Sequence, residues 1–121
     1  MLMQVLHLNN MKISKKEAIK HGRKGVKGIY YQLPNIDSGT TVAYAEFTGE
    51  HGERTIGERA RIYYILDGKG EFLVNGKKFL VEKADLVPIP PKSTYNLWPR
   101  SKVLKVMLYM EYLDFDKLPK K

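Results

Sequence analysis

The sequence predicts an all-β protein, a β-barrel or jelly roll with a short N-terminal helix, and three observations support this class. Short runs rich in Val, Ile, Thr, Tyr and Phe are separated by turn residues along most of the chain, which is typical of barrels and sandwiches. Asn75-Gly76 lies between two such runs and suits a type I′ hairpin turn, because both central residues need positive φ. The chain of 121 residues contains no cysteine, so we expect one domain stabilised by an apolar core without disulfides.

The N-terminal segment, residues 1–39, is predicted to contain a strand and a short helix packed on the barrel. Residues 1–8 alternate in polarity and form a strand candidate. Ser14 and Glu17 have the capping-box spacing, which predicts a helix over 15–21 that ends at Gly22. Glycine and basic residues alternate over 22–28 and predict a loop, followed by a strand over 28–33.

The barrel itself is predicted over residues 40–112, and residues 113–121 form a basic C-terminal tail. Its seven strands are expected at 40–48, 61–66, 71–74, 77–81, 86–90, 94–98 and 103–112. Pro88 and Pro90 indicate that the strand over 86–90 lies at an edge or in an irregular ladder, because proline cannot donate a ladder hydrogen bond.

Charge and composition restrict the class of partner. The net charge is +8, and residues 1–30 hold seven Lys or Arg against Glu17 alone. Such a segment could attract nucleic acid through counterion release, but a solvated basic surface is the more ordinary interpretation, so a nucleic-acid partner is not expected. No apolar run approaches the roughly 20 residues that span a bilayer. Without a basic leader and cleavage site at its start, the chain is expected to be cytoplasmic.

The spacing of glycines and prolines between Gly49 and Pro99 resembles the two signature motifs of the cupin superfamily. The resemblance covers about residues 40–112 and implies a cupin-type barrel and a homodimer. The four positions that carry metal ligands in that superfamily hold Thr55, Gly57, Arg61 and Tyr95. Divalent metals prefer imidazole nitrogen and carboxylate oxygen to such groups, so neither a metal nor another cofactor is expected.

Two family glycines are also replaced, which affects two turns. Ala84 and Lys92 stand at positions where the cupin motifs have glycine. These turns must then be made differently, and one way is a non-glycine residue at positive φ, which is uncommon outside Gly, Asn and Asp. The sequence therefore predicts left-handed backbone at one or both residues.

The resemblance places Arg61, Tyr63, Tyr95 and Thr55 around one cavity, with Glu46 as the carboxylate that could pair with Arg61. A guanidinium offers a fixed fork of donors that matches a carboxylate or phosphate. The resulting hypothesis is a small polar or anionic metabolite, such as a sugar or sugar phosphate. Two alternatives remain open at this point: Arg61 has a purely structural role, or a one-residue slip turns it outward.

An enzymatic role is the second hypothesis. Metal-free sugar epimerases and isomerases of the cupin superfamily use a His base and a Tyr acid, which makes Tyr95 and Tyr63 the catalytic candidates by resemblance. A tyrosine acts as a base at neutral pH only when a cation such as Arg61 lowers its pKa. None of the histidines His7, His21 and His51 occupies a family ligand position, and His51 is expected to be an exposed loop residue. Whether the protein is an enzyme therefore stays open.

Overall fold

The structure is a computed structural model that describes residues 12–33 and 37–115. Within these residues, ten antiparallel strands follow a short 3₁₀-helix, Lys15–Glu17. The strands are β1 Ile19–Arg23, β2 Val26–Leu33, β3 Asp37–Phe47, β4 Arg54–Thr55, β5 Arg61–Asp67, β6 Lys69–Val74, β7 Lys77–Glu82, β8 Leu86–Ile89, β9 Thr94–Pro99 and β10 Leu104–Glu111. They form a six-stranded sheet in the order β1-β2-β3-β10-β5-β8 and a four-stranded sheet in the order β4-β9-β6-β7. The predicted all-β class is confirmed.

Alternation along the strands places the core between the two sheets. On β10, Leu104, Val106, Leu108 and Met110 are buried, whereas the residues between them are partly or fully exposed. Successive side chains of a strand point to opposite faces, so this pattern defines one inward face. Each such aliphatic side chain contributes about 1.5–3 kcal/mol when it is fully buried. The buried cluster draws on both sheets, which makes it the common core of the barrel.

Three turns have the backbone that the sequence predicts. Asn75 and Gly76 have φ values of 48° and 84°, and Val74 pairs with Lys77 across them. Ala84 and Lys92 have φ values of 75° and 64°. The type I′ hairpin and the positive φ at both replaced glycine positions are therefore confirmed.

The N-terminal segment differs from the prediction. The helix ends at Glu17 instead of residue 21, although the Glu17 carboxylate accepts a 2.7 Å hydrogen bond from the Ser14 backbone N–H as the capping box predicted. Residues 19–23 form β1 and pair with β2, so the predicted loop over 22–28 is wrong. Pairing with a neighbouring strand overrides weak local helix propensity. The strand candidate over residues 1–8 lies outside the described residues.

The sheet order also bears on the predicted domain boundary. Strands β1 and β2 continue the sheet that contains β3 and β10, and β3 begins at Asp37, so the expected boundary after residue 39 falls inside a strand. The six-stranded sheet therefore contains two strands, β1 and β2, that lie outside the predicted barrel of residues 40–112.

No helix within residues 12–33 and 37–115 combines the length and apolar character needed to cross a bilayer.

Candidate functional site

A cavity of about 280 Å³ lies against the inner face of the six-stranded sheet. Its apolar wall includes Val26, Ala43, Ala45, Phe47, Leu108 and Met110. Its polar side chains are His21, Arg23, Tyr30, His51, Arg54, Arg61 and Tyr63. The lining contains three arginines and no carboxylate among the described residues. The cavity is therefore suited to a ligand that carries negative charge and an apolar part.

Arg61 faces the interior but is already paired. Its Nη2 donates to Glu111 Oε2 at 2.7 Å and its Nε donates to Glu111 Oε1 at 3.2 Å. Arg61 is only 5% exposed, and an unpaired charge at such a position would be costly. The Glu111 ion pair holds the pKa of Arg61 above its usual value even though burial opposes this. The alternative in which Arg61 points outward is wrong.

The sequence named Glu46 as the partner of Arg61, and this assignment is wrong. Glu46 Oε2 accepts a 2.7 Å hydrogen bond from the Tyr44 hydroxyl. Both residues lie on the face of β3 opposite to Ala45 and Phe47, which line the cavity. The alternation of the strand therefore directs Glu46 away from the site.

Two tyrosines and Arg61 form a buried hydrogen-bonded group. Arg61 Nη1 donates to the Tyr95 hydroxyl at 3.0 Å, and the hydroxyls of Tyr63 and Tyr95 lie 2.5 Å apart. Burial, followed by the neighbouring Tyr95, raises the pKa of Tyr63 well above its usual value, and the opposing effect of Arg61 is smaller. The condition under which a tyrosine could act as a base at neutral pH, a pKa lowered by Arg61, is therefore not met at Tyr63.

His51 belongs to the site, although the sequence predicted an exposed loop residue. It is 8% exposed, and its ring stacks on Tyr95 with centroids 5.3 Å apart. Its Nδ1 lies 2.7 Å from the Gly52 carbonyl oxygen, an acceptor that requires the ring proton on Nδ1. Nε2, which no described residue contacts by a hydrogen bond, is then an acceptor. Burial lowers the pKa of His51 to about 4, so the ring is neutral at pH 7.

The loop that carries His51 is held by Asn96. Asn96 Oδ1 accepts from the backbone N–H of Gly52 at 2.9 Å, and Asn96 Nδ2 donates to Glu50 Oε2 at 2.6 Å. The His51 backbone N–H donates to the Leu97 carbonyl at 2.9 Å. These bonds connect the loop to β9 and fix the position of the imidazole beside Tyr95.

Arg23 and Arg54 are two cavity residues that could not be found from the sequence pattern, as are His21 and Tyr30. Arg23 pairs in register with the buried Val26, and Arg54 pairs with the buried Tyr95. Directly opposed residues share a face of the sheet, and both side chains contribute to the cavity lining, Arg23 half-buried and Arg54 exposed. The period-two spacing of His21 and Arg23 could have indicated a shared face if 19–23 had been read as a strand.

Thr55 does not join the group. It is exposed, and its Oγ1 lies 2.7 Å from Thr94 Oγ1 on the outer side of the β4–β9 pair. The same register that turns Arg54 inward turns Thr55 outward. Of the five predicted site residues, the structure brings Arg61, Tyr63 and Tyr95 together and leaves Thr55 and Glu46 elsewhere. Within the described part of the chain, no three His, Asp or Glu side chains converge as a metal site would require.

The two antiparallel sheets and the cavity lined by three arginines define a cupin-fold ligand-binding domain. The chain belongs to the AraC-like ligand binding domain family, whose profile matches residues 38–118. The resemblance to the cupin superfamily that the sequence indicated is confirmed. A segment of 68 residues, 53% of this chain, is 35% identical to the uncharacterized protein MJ1618 of Methanocaldococcus jannaschii and spans 54% of that protein.

Solved structures of low sequence identity share the fold. The nucleoside dehydratase Pac13, known from Streptomyces, is 20% identical, with a TM-score of 0.70 over 87% of this chain and 85% of that one. A predicted oxalate decarboxylase from Thermotoga maritima is 18% identical, with a TM-score of 0.71 over 85% of this chain and 100% of that one. The cupin domain of Schizosaccharomyces pombe Cnp3 is 17% identical, with a TM-score of 0.68 over 86% and 74% of the two chains. At these identities the likeness concerns the fold alone.

Proposed function

We propose that the barrel cavity binds a small anionic metabolite and that Arg23 and Arg54 bind its charged group. The observation that carries this proposal is the presence of two arginines on the cavity lining, Arg23 half-buried and Arg54 exposed, that form no ion pair with any described residue. A guanidinium at the edge of a cavity can bind a carboxylate or phosphate through two parallel hydrogen bonds. The unpaired charge is therefore available to a ligand.

Arg61 has a different role in this proposal. Its charge is compensated by Glu111, and three of its five N–H groups are engaged by Glu111 and Tyr95. A ligand anion would have to displace the Glu111 carboxylate, which is already hydrogen-bonded to Arg61. In this proposal Arg61 holds Tyr95 in place. The anion-binding role that the sequence predicted for Arg61 belongs instead to Arg23 and Arg54.

The electrostatic field supports the same assignment. The positive charges of Arg54, Arg23 and Arg61 all contribute to the low pKa of His51, after burial itself. The same three arginines act against the burial that raises the pKa of Tyr30. Since all three arginines act on the pKa values of His51 and Tyr30, their positive charges reach the interior of the cavity. An anion in the cavity would be attracted by each of them.

The test is titration calorimetry with inorganic phosphate, acetate and a panel of small carboxylates and sugar phosphates. Arg23→Gln and Arg54→Gln should each weaken binding at least tenfold, which corresponds to about 1.4 kcal/mol. Lys102→Gln is the control with the same change in charge, because Lys102 is exposed and is not one of the cavity-lining residues. Equal affinities for the three variants would contradict the proposal.

A second candidate is a metal-independent isomerase or epimerase, and the position of His51 favours it. The Nδ1 hydrogen bond to Gly52 leaves Nε2 able to accept a proton from a ligand, and Tyr95 lies against the ring. Bound anionic substrate would raise the pKa of His51 and make it a better base. Exchange of substrate C–H for solvent deuterium that disappears in His51→Gln would support this role, whereas a binding protein would give no exchange.

We also propose a homodimer formed through the outer face of the six-stranded sheet. Tyr64, Tyr109 and Leu86 are exposed by 41%, 42% and 61%, and Tyr64 pairs in register with Leu86. The solvent face of an antiparallel sheet is usually polar, and twofold association is the commonest way to cover an apolar one. Tyr64→Lys should shift the sedimentation coefficient to that of a monomer. Leu80→Lys, exposed on the other sheet, should not.

A further inference from the structure

We propose that the ligand is a small carboxylate with a compact apolar body, and that sugar phosphates are poor ligands. The inference rests on the proposed anion site at Arg23 and Arg54 and concerns the part of the ligand that lies beyond the charged group. Besides these arginines, the cavity lining includes apolar side chains of β2, β3 and β10, namely Val26, Ala43, Ala45, Phe47, Leu108 and Met110. The chemistry of this wall differs from that of a polyol site.

A sugar ring presents several hydroxyl groups, and each of them needs an acceptor once it is removed from water. The three arginines of the lining are donors only. No Asp, Glu, Asn or Gln lines the cavity among the described residues. Apart from phenol oxygens and backbone carbonyls, the acceptors of the described lining are imidazole nitrogens, those of His21 and His51. Several ring hydroxyls of a sugar would therefore be left unpaired.

The apolar wall favours the opposite kind of ligand. Its residues come from consecutive inward positions of paired strands, since Ala43 lies opposite Leu108 and Ala45 lies opposite Val106. The two alanines leave space that larger residues would fill. Each methylene group transferred from water to this wall should tighten binding about fourfold. A ligand with an aliphatic or aromatic group should therefore bind more tightly than one with a hydroxylated group of similar size.

The size of the cavity limits the ligand. A volume of about 280 Å³ lies just below the range of about 300–1,000 Å³ that is typical of sites for drug-sized ligands. One carboxylate with a short aliphatic chain or a single ring suits this space. The apolar body would contact Ala43, Ala45 and Met110, and the carboxylate would bind at the arginine end.

The experiment measures dissociation constants of the full chain by calorimetry for acetate, butyrate, hexanoate, octanoate and benzoate. Inorganic phosphate and glucose 6-phosphate are measured beside them. Affinity should rise with apolar size until the cavity is filled and then fall. Glucose 6-phosphate should bind at least tenfold more weakly than the best carboxylate.

Variants of the wall locate the apolar body. Met110→Ala enlarges the cavity and should move the optimum to a longer chain. Ala45→Leu reduces the space and should weaken hexanoate and benzoate more than acetate. Met107→Ala is the matched control, because Met107 lies on the outer face of β10, opposite in direction to Met110, and should leave the chain-length profile unchanged.

The possible outcomes separate this inference from the proposed anion site. If glucose 6-phosphate binds tightest and loses affinity in Arg23→Gln, the anion site stands and the inference on the apolar body is overturned. Carboxylate affinities that do not vary with chain length would overturn it as well. If neither carboxylates nor phosphates bind, both the anion site and the ligand class are wrong.

Discussion

The carboxylate of Glu111 at the end of β10 binds the guanidinium of Arg61 at the start of β5 through two contacts, of 2.7 Å and 3.2 Å. Arg61 in turn holds the hydroxyl of Tyr95, which lies against that of Tyr63. The ion pair therefore terminates a polar network that runs into the apolar core. Because Arg61 and Tyr63 also line the cavity, we expect loss of the ion pair to affect both the stability of the barrel and the cavity.

Glu111→Gln should lower the free energy of unfolding by about 2 kcal/mol. The substitution preserves size but leaves the charge of Arg61 without its carboxylate, and breaking a fully buried pair costs about 3–5 kcal/mol. The Glu111 side chain is 32% exposed, so solvent screens part of this loss. Urea unfolding monitored by the fluorescence of Trp98 measures the effect.

Glu46→Gln is the control for this experiment, since it makes the same chemical change in the residue that the sequence proposed as the partner. Glu46 accepts a hydrogen bond from Tyr44, a role that a Gln carbonyl can also fill. The free energy of unfolding should therefore fall by less than about 0.5 kcal/mol. A larger loss at Glu46 than at Glu111 would contradict the assignment of the ion pair.

Features that depend on a few consecutive residues could be predicted from the sequence. The Asn75-Gly76 turn is set by the conformational preferences of those two residues. The period of a strand places Arg61 and Tyr63 on one face, and the resemblance to cupins indicates that this face is the inner one. The positive φ at Ala84 and Lys92 could be predicted from the resemblance because the motif requires a left-handed residue there.

The rest depends on contacts between residues that lie far apart in the sequence. Glu111 is 50 residues from Arg61, and local periodicity cannot distinguish it from Glu46. The burial of His51 depends on its stacking against Tyr95 and on the bond between Gly52 and Asn96, across a separation of 44 residues. Arg23 was missed for a related reason, since β1 becomes a strand only by pairing with β2.

Ala84→Gly should stabilise the protein by up to about 1 kcal/mol. Ala84 has a φ of 75°, a left-handed conformation that costs an L-residue roughly 1–2 kcal/mol and glycine almost nothing. The greater freedom of glycine in the unfolded chain offsets part of this gain. Thermal unfolding measures the change in Tm.

Lys83→Gly tests the explanation within the same turn. Lys83 is exposed and is absent from the described non-glycine residues with positive φ, so glycine brings it no relief of strain. We expect a loss of about 0.5–1 kcal/mol. If both substitutions were equally destabilising, relief of backbone strain at Ala84 would not be the operative effect.

Stability should fall as the pH is lowered from about 6.5 to 4, because of His51. The unfolded chain takes up a proton on this residue near pH 6.5, whereas the folded protein does so only near its pKa of about 4. The unfolded state then binds more protons in this window, and the free energy of unfolding decreases by up to about 3 kcal/mol. Urea unfolding at pH 7 and pH 5 measures this decrease.

His51→Gln should remove most of that pH dependence, since an amide does not titrate. Glu111 adds its own loss only at lower pH, because its pKa lies below its usual value of 4.5 and its ion pair persists until the pH falls through the folded pKa. If the free energy of unfolding falls equally between pH 7 and pH 5 in the unmodified protein and in His51→Gln, His51 is not the group responsible.

Asn96→Ala should release the loop that carries His51. The substitution removes the acceptor of the Gly52 N–H and the donor to Glu50, both at a residue that is only 7% exposed. Leaving these groups unpaired costs about 1–3 kcal/mol, and the loss is local because the bonds serve one loop. Amide hydrogen exchange at His51 and Gly52 should therefore accelerate more than exchange in the β6–β7 hairpin.

Glu50→Gln separates the contribution of Asn96 from that of the charge beside it. A Gln oxygen can still accept the 2.6 Å bond from Asn96 Nδ2, so the loop should keep its exchange protection and the free energy of unfolding should change by less than about 1 kcal/mol. Asn96→Ala should also shift the imidazole resonances of His51, because the stacking on Tyr95 depends on the position of the loop. If exchange at His51 and Gly52 is unchanged in Asn96→Ala, the backbone bond from His51 to the Leu97 carbonyl is sufficient to hold the loop, and Asn96 is not the residue that positions the imidazole.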